Sequence, residues 1–239
     1  MPVRYRFEPR FFTTLAAAAG IAVTLALAGW QLGRAHEKEA AAARLESLAK
    51  DPPVRVPAAE LKVEDVEWRR VTARGRFEPR YAVLIDNRVR RGVAGYHVMM
   101  PLAIEGSPER YVLVNRGWIA GGAERGRLPE ITTPPGTVEI TGLAVTPSKR
   151  FLELSAATTE GKVWQNLTLE RYRKAVPIPV QPFVILQESA LEDGLARAWD
   201  PPDLGINTHY GYAFQWLALA LTVLGFYLAT HVKRRSPAE

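Results

Sequence analysis

Two long apolar stretches stand near the ends of the chain, and between them the pattern shifts to short alternating runs. The first stretch is Phe11 to Leu32 and the second Tyr212 to Thr230, with no charged residue inside either. The 19 residues of the second would rise about 28 Å as a helix, close to the hydrocarbon thickness of a bilayer. Both stretches predict transmembrane helices. Ala35 to Lys50 continues in helix-favouring Ala, Glu, Lys, Arg and Leu, and Asp51-Pro52-Pro53 ends it, because proline cannot extend the hydrogen-bond ladder. From Trp68 the period becomes two. Val71, Ala73, Gly75 and Phe77 alternate with Thr72, Arg74 and Arg76, as in a half-buried strand. Tyr81, Val83 and Ile85 follow. Tyr96, Val98, Met100, Leu102 and Ile104 are expected on one strand face, with His97 on the other. Tyr111 to Val114 and Phe183 to Leu186 are short apolar runs, and Val138, Ile140, Gly142 and Ala144 alternate again.

Turn-rich breaks such as Gly121-Gly122 and Pro134-Pro135-Gly136 separate these runs. Leu167 to Val176 predicts a short helix, and Val176 to Pro182 a stiff extended connector. Six or seven short strands with such breaks predict an antiparallel β-rich domain, sandwich-like or a small closed barrel. The expected fold class is therefore a membrane protein, with two transmembrane helices flanking an antiparallel β-rich extracytoplasmic domain that carries a few short helices. The expected boundaries are a tail over 1–10, a span over 11–32, the β-rich domain over 33–211, a span over 212–230 and a tail over 231–239.

Charge adds orientation. The net charge is +6. Residues 1–10 hold three Arg and one Glu, and residues 231–239 hold one Lys, two Arg and one Glu, so each tail is +2. Basic flanks are retained on the cytoplasmic side, which puts both termini inside. The remaining +2 is spread over the whole middle, which leaves no basic excess for nucleic acid. No cysteine is present, which excludes thiol redox work, Cys-based copper delivery and haem attachment through Cys-x-x-Cys-His. Only ten residues precede Phe11, too few for an organelle transit peptide, so a bacterial plasma membrane is expected. Ala26-Leu27-Ala28 also fits signal cleavage at Ala28-Gly29, but an Ala-rich helix produces that pattern by chance, and a retained anchor is favoured.

Catalytic patterns are missing. There is no His-Glu-x-x-His pair, no Gly-x-Ser-x-Gly elbow and no phosphate loop leading into a helix. The chain is not expected to be an enzyme. Of its histidines, His97 reads as a solvated or edge-strand residue, His231 as part of a basic tail and His36 as a bland neighbour of the first span. His209 differs. Continuing the second helix backwards places His209, Tyr212 and Trp216 on one face, where imidazole is a common metal and haem-iron ligand. An interfacial histidine beside belt tyrosines is the competing reading, and spacing leaves both open. Trp30 and Arg34, four apart, share a face at the outer interface.

Three blocks carry a resemblance: Gly29-Trp30-Gln31-Leu32-Gly33-Arg34; the central pair Leu84-Ile85-Asp86-Asn87-Arg88 and Val112-Leu113-Val114-Asn115-Arg116-Gly117-Trp118; and His209-Tyr210-Gly211-Tyr212-Ala213-Phe214-Gln215-Trp216. In order and spacing they resemble the surfeit-locus family of cytochrome c oxidase assembly factors, over nearly the whole chain. The resemblance implies two spans, a β-rich domain on the outer side, and help in building subunit I of haem–copper oxidase by handling haem a. Haem a synthase is a further implied partner, beside subunit I and the lipid bilayer. The resemblance implies a haem a ligand at His209. Trp30, Tyr212 and Trp216 would then wall the macrocycle, with Arg34 or Arg116 facing its propionates. Arg116 has other readings, pairing with Asp86 or serving as a buried structural residue, and the structural one is favoured. Trp118 reads as a core tryptophan or one packed under the domain against the membrane. The rival functions are an interaction scaffold that binds no haem and, less favoured, a membrane-tethered enzyme of haem or lipid metabolism.

Overall fold

The computed structural model describes residues 5–106, 110–122, 128–147 and 159–234. It divides into two compact units, residues 1–44 with 202–239 and residues 45–201.

The first unit is a helical hairpin. Strand β1 (Tyr5–Phe7) precedes helix α1 (Phe11–Lys50), and helix α4 (Ile206–His231) leads into strand β11 (Val232–Arg234). Both helices are long and apolar enough to cross a membrane. They run antiparallel. β1 pairs antiparallel with β11, and the Glu8 N–H donates to the His231 carbonyl at 2.9 Å. Beside that pair, Thr13 Oγ1 lies 2.8 Å from His231 Nε2, and Thr14 Oγ1 2.7 Å from the Tyr227 hydroxyl. Both tails therefore emerge at one end of the hairpin. The helix starts at Ile206, ahead of the apolar run, because Gly205 supplies a left-handed φ of 70° that turns the chain into it.

The second unit is a barrel with appendages. Its strands are β2 (Val54–Arg55), β3 (Arg70–Phe77), β4 (Val83–Arg90), β5 (Val93–Ile104), β6 (Tyr111–Ala120), β7 (Val138–Val145), β8 (Thr159–Glu160), β9 (Val163–Trp164) and β10 (Val180–Gln187). Helices α2 (Val63–Val66) and α3 (Leu169–Ala175) complete it. The order β3-β7-β10-β6-β5 closes on itself, since β3 also pairs with β5 through Gly75–Ile104, Arg76–Ala103 and Phe77–Leu102. The result is a closed five-stranded barrel. Its junctions are antiparallel except β6–β10, which is parallel. β2 adds outside β3, and β4, β9 and β8 extend outward from β5.

Burial explains the two kinds of apolar pattern. β3 alternates because one face enters the barrel and the other meets solvent. Val71, Ala73, Phe77, Met100, Leu102, Val112, Val114, Ile140, Phe183 and Ile185 fill the interior. β6 and β10 read as continuous apolar runs because both faces are covered. Leu113 and Val184 point outward into a second cluster with Val83, Ile85, Met99, Trp164 and Tyr172. Helix α3 seals that cluster. The Thr168 side chain caps it by accepting the Arg171 N–H at 3.1 Å. The Tyr172 hydroxyl donates to the Tyr81 carbonyl at 2.9 Å, and burial pushes its pKa upward.

Tyr96, Val98, Met100, Leu102 and Ile104 share one face of β5, as expected, with His97 on the other, and that face serves two clusters along its length. The pairing of β5 with β6 shifts register between His97 and Met99. Tyr96 and Val98 pack with Leu84, Leu195 and Ile119, whereas Met100, Leu102 and Ile104 enter the barrel. The extra residue of the bulge lies on β6, where three steps from Trp118 to Asn115 face two from His97 to Met99, so β5 keeps its alternation.

Candidate functional site

The hairpin is assembled along one seam. Partly or fully buried positions on α1 include Thr14, Ala17, Ile21, Thr24, Ala28, Gln31 and Ala35, and on α4 His209, Ala213, Trp216, Ala220, Val223, Tyr227 and His231. Successive positions are three or four residues apart, the repeat of helices that supercoil. Small side chains along it permit close approach. At the end away from the tails the seam becomes polar. His209 Nδ1 lies 2.7 Å from Gln31 Oε1. The amide oxygen can only accept, so Nδ1 donates to it, and in the neutral ring Nε2 then keeps its lone pair. One residue on, the Tyr210 hydroxyl donates to the Glu39 carboxylate at 2.8 Å, and the His36 ring meets the Tyr210 ring edge-on at 6.5 Å.

The sequence-predicted residues fall around this collar unevenly. His209 and Trp216 lie on the seam with Ala213 between them. Tyr212 does not join them. It is 48% exposed, because the seam follows 209, 213 and 216 and leaves 212 on the flank. Trp30 is 58% exposed, and Arg34 is exposed and ion-paired with Glu37 one turn on. Gln31, Glu39 and Tyr210 were not singled out by sequence reasoning. Gln31 carries a signal that was available: a polar amide inside an apolar span usually has a partner. The others needed the pairing of the helices.

Arg116 belongs to the barrel unit and has no exposed surface. Its Nη2 donates to Asp193 at 2.7 Å and to the Thr132 carbonyl at 3.0 Å, and Nη1 to Thr133 Oγ1 at 3.1 Å. Its guanidinium also stacks 4.6 Å from the Phe77 ring centre. Neither the pairing with Asp86 nor a propionate-facing role survives this geometry, since every approach to the guanidinium is occupied by protein. Asp86 is exposed and accepts the Asn87 N–H at 2.7 Å. Trp118 is half-buried rather than a core residue, and its Nε1–H donates to the Arg88 carbonyl at 2.6 Å.

His97 is also repositioned. It sits between β4 and β6 rather than on an edge, half-buried, with its ring 5.5 Å from Trp199 and Nδ1 3.4 Å from Asn115 Nδ2. Burial, aided by the nearby Arg88 cation, pulls its pKa from 6.5 down to about 4. The folded domain then binds fewer protons than the unfolded chain between those values. Stability from this group is present above pH 6.5 and lost as pH falls toward 4, by at most about 3 kcal/mol, and less where solvent reaches the ring. Denaturant midpoints should fall across that interval, and His97→Gln should flatten the slope. An unchanged slope would remove His97 as the source.

A family model described as SURF1 family matches residues 18–221, which spans the α1 seam from Ile21 onward, the barrel and the His209 end of α4. The chain belongs to the SURF1 family. That family is associated with oxidase assembly. A SURF1-like protein of Rickettsia conorii is 25% identical over 215 residues, covering 86% of this chain and 85% of its own. One from Rickettsia felis is 24% identical over 223 residues, covering 90% and 95%. An uncharacterised SURF1-like protein of Mycobacterium tuberculosis is 34% identical over 97 residues, covering 39% and 35%. The SURF1 match runs through both helices, so the polar collar lies within the part shared with the family.

Proposed function

We propose that this SURF1 family member is an assembly factor and not a catalyst, holding haem a transiently through His209 and assisting its insertion into subunit I of haem–copper oxidase. The observation that carries the reading is the Gln31–His209 pair. A histidine that ligates a metal characteristically donates its other ring N–H to a fixed oxygen, which sets the tautomer and the ring orientation. The donor set therefore fits an iron already held by a macrocycle, for which one imidazole from the protein is enough. When bound, the haem would bring the redox-active iron destined for the oxidase. The chain's task is to hold it weakly enough for release.

Trp216 on the seam, with the exposed Trp30 and Tyr212 on the flanks of their helices, would supply aromatic surface for the macrocycle. Arg34 is the propionate partner in this reading. Its pairing with Glu37 is solvent-exposed, and such pairs are worth about 1 kcal/mol or less, so exchange of partners is easy. The expected partners are oxidase subunit I, haem a synthase and the bilayer. Basic tails and the β1–β11 pairing support a bacterial plasma-membrane location with both termini cytoplasmic and the barrel periplasmic. The second reading, a scaffold that binds no haem, draws on the same helical hairpin as a docking element.

The test is haem per protein after purification from cells that make haem a. His209→Leu should lose the pigment while the protein still inserts. Gln31→Leu should weaken retention by about 10–100-fold, the usual effect of removing an outer-shell partner. A periplasm-active reporter should work near Gly122 and not after Glu239. Full haem content and full oxidase activity with His209→Leu would give the scaffold reading the lead.

A further inference from the structure

The β4–β5 hairpin is unlike the rest of the barrel surface. Val89 is 65% exposed and Val93 49%, and among the described residues of the second unit only Leu128 is another large apolar side chain so exposed. Three arginines accompany them, Arg88, Arg90 and Arg91, with no acidic residue from Arg88 to Gly95. Several surface arginines elsewhere on the barrel unit are matched with carboxylates, among them Arg70 with Glu188, Arg74 with Glu105 and Arg110 with Glu60. No ion pair to a described residue engages the three of the hairpin.

The turn itself is unusual. Arg90 pairs with Val93, enclosing Arg91 at φ 50° and Gly92 at φ 79°. A two-residue turn of this kind needs positive φ at both positions and favours Asn, Asp or Gly at the first. Arginine stands there against the backbone's preference, which draws attention to the cation it places at the tip. The tip is also braced. Trp118 donates to the Arg88 carbonyl at 2.6 Å, the Arg90 guanidinium lies 5.9 Å from the Trp118 ring centre, and the Gly121 N–H donates to the Ala94 carbonyl at 3.0 Å. Gly95 makes room for Trp118, since a Cβ there would come within 2.7 Å of its ring.

We propose that the tip of the β4–β5 hairpin docks on an anionic lipid surface, with Arg90 and Arg91 at the headgroup phosphates and Val89 and Val93 entering the interface. Guanidinium groups match phosphate oxygens in charge and in donor geometry. Short aliphatic side chains beside them gain by leaving water, and the arginine stems lie along apolar surface while their heads stay solvated. An acidic protein groove would satisfy the cations, but it would not account for the two exposed valines on so small a protrusion. The membrane helices of the same chain also keep lipid at high effective concentration.

The experiment uses the full chain in nanodiscs of either phosphatidylcholine alone or phosphatidylcholine with phosphatidylglycerol. The protein has no cysteine, so Val89→Cys provides the only thiol for an environment-sensitive fluorophore. Emission should be blue-shifted and quenched by spin-labelled lipid in the anionic discs, and much less in the neutral ones. A second probe at Glu139→Cys, exposed on β7, should show neither effect. Each arginine near an anionic surface favours docking about 5-fold, so Arg90→Gln with Arg91→Gln should lower the docked-to-free ratio about 25-fold. Equal quenching in both lipids, unchanged by removing the arginines, would overturn headgroup recognition. Absence of quenching in either lipid would overturn docking on the bilayer and leave a protein partner for the tip.

Discussion

Replacing Asp193 with leucine should destabilise the barrel unit more than any other single polar substitution among the described residues. Asp193 is buried, and its carboxylate serves two cations at once, Arg116 at 2.7 Å and Arg197, while its other oxygen accepts the Leu195 N–H at 3.2 Å. Removing it strands two guanidinium groups in a site where water cannot replace the lost charge. Breaking one buried pair costs about 3–5 kcal/mol, a large part of the stability of a typical domain. Arg116→Leu should cost less, because Asp193 keeps Arg197. The order Asp193→Leu, then Arg116→Leu, then Arg70→Ala should appear in denaturant unfolding of the full chain in detergent, followed by tryptophan fluorescence. Arg70 pairs with Glu188 at the surface, where about 1 kcal/mol or less is at stake. If all three variants unfold alike, the buried network is not what holds the 188–199 segment to the barrel.

Gly75→Ala should open the barrel where it closes. A Cβ at Gly75 would stand 2.0 Å from the Ala103 carbonyl oxygen and 2.8 Å from its carbon. Both are backbone atoms of β5, so no rotamer change relieves the clash. Strands β3 and β5 must separate where they pair, over Gly75 to Phe77, with one backbone hydrogen bond on either side, Glu105 N–H to the Arg74 carbonyl and Glu78 N–H to the Pro101 carbonyl. Overpacking costs about 1–3 kcal/mol when side chains can yield, and the cost here should reach or exceed the upper end. Gly142→Ala should behave similarly, since its Cβ would lie 2.1 Å from the Leu186 carbonyl oxygen on β10. Gly33→Ala provides the contrast. Nothing lies within 4 Å of its Cβ position in helix α1, and helix propensity favours alanine by about 1 kcal/mol. Thermal unfolding of the three variants separates these cases. An unaltered midpoint for Gly75→Ala would mean that the β3–β5 closure is not strained by an added methyl group.

Much of this was legible along the chain. An apolar helix of membrane length announces itself locally, because each residue must be compatible with lipid by itself, and both helices were evident on that ground. The alternation of β3 and β7 was equally plain, since each buries one face. Less legible was what those strands meet. The bulge in β6 between Asn115 and Trp118 shows only in its pairing with β5. His97 looked solvated because its polar character suited an outer face, yet Trp199, distant in sequence, covers it.

The candidate site divides in the same way. His209 stood out because an imidazole at the end of an apolar helix is costly to leave idle. Its partner did not, because Gln31 lies 178 positions away in sequence, and no local period links them. Arg116 shows the converse. Its type and its strand were visible, but only the folded chain brings Asp193, 77 residues on, to its guanidinium, turning a possible ligand-facing cation into an internal strut. By itself, then, the sequence determined the two membrane helices, the β-rich middle, the charge bias of the tails and the family, since these rest on composition and short-range period. Tertiary structure alone decided the barrel closure, the Gln31–His209 pair and the burial of Arg116, because each depends on contacts between residues far apart in the chain, which a local pattern does not encode.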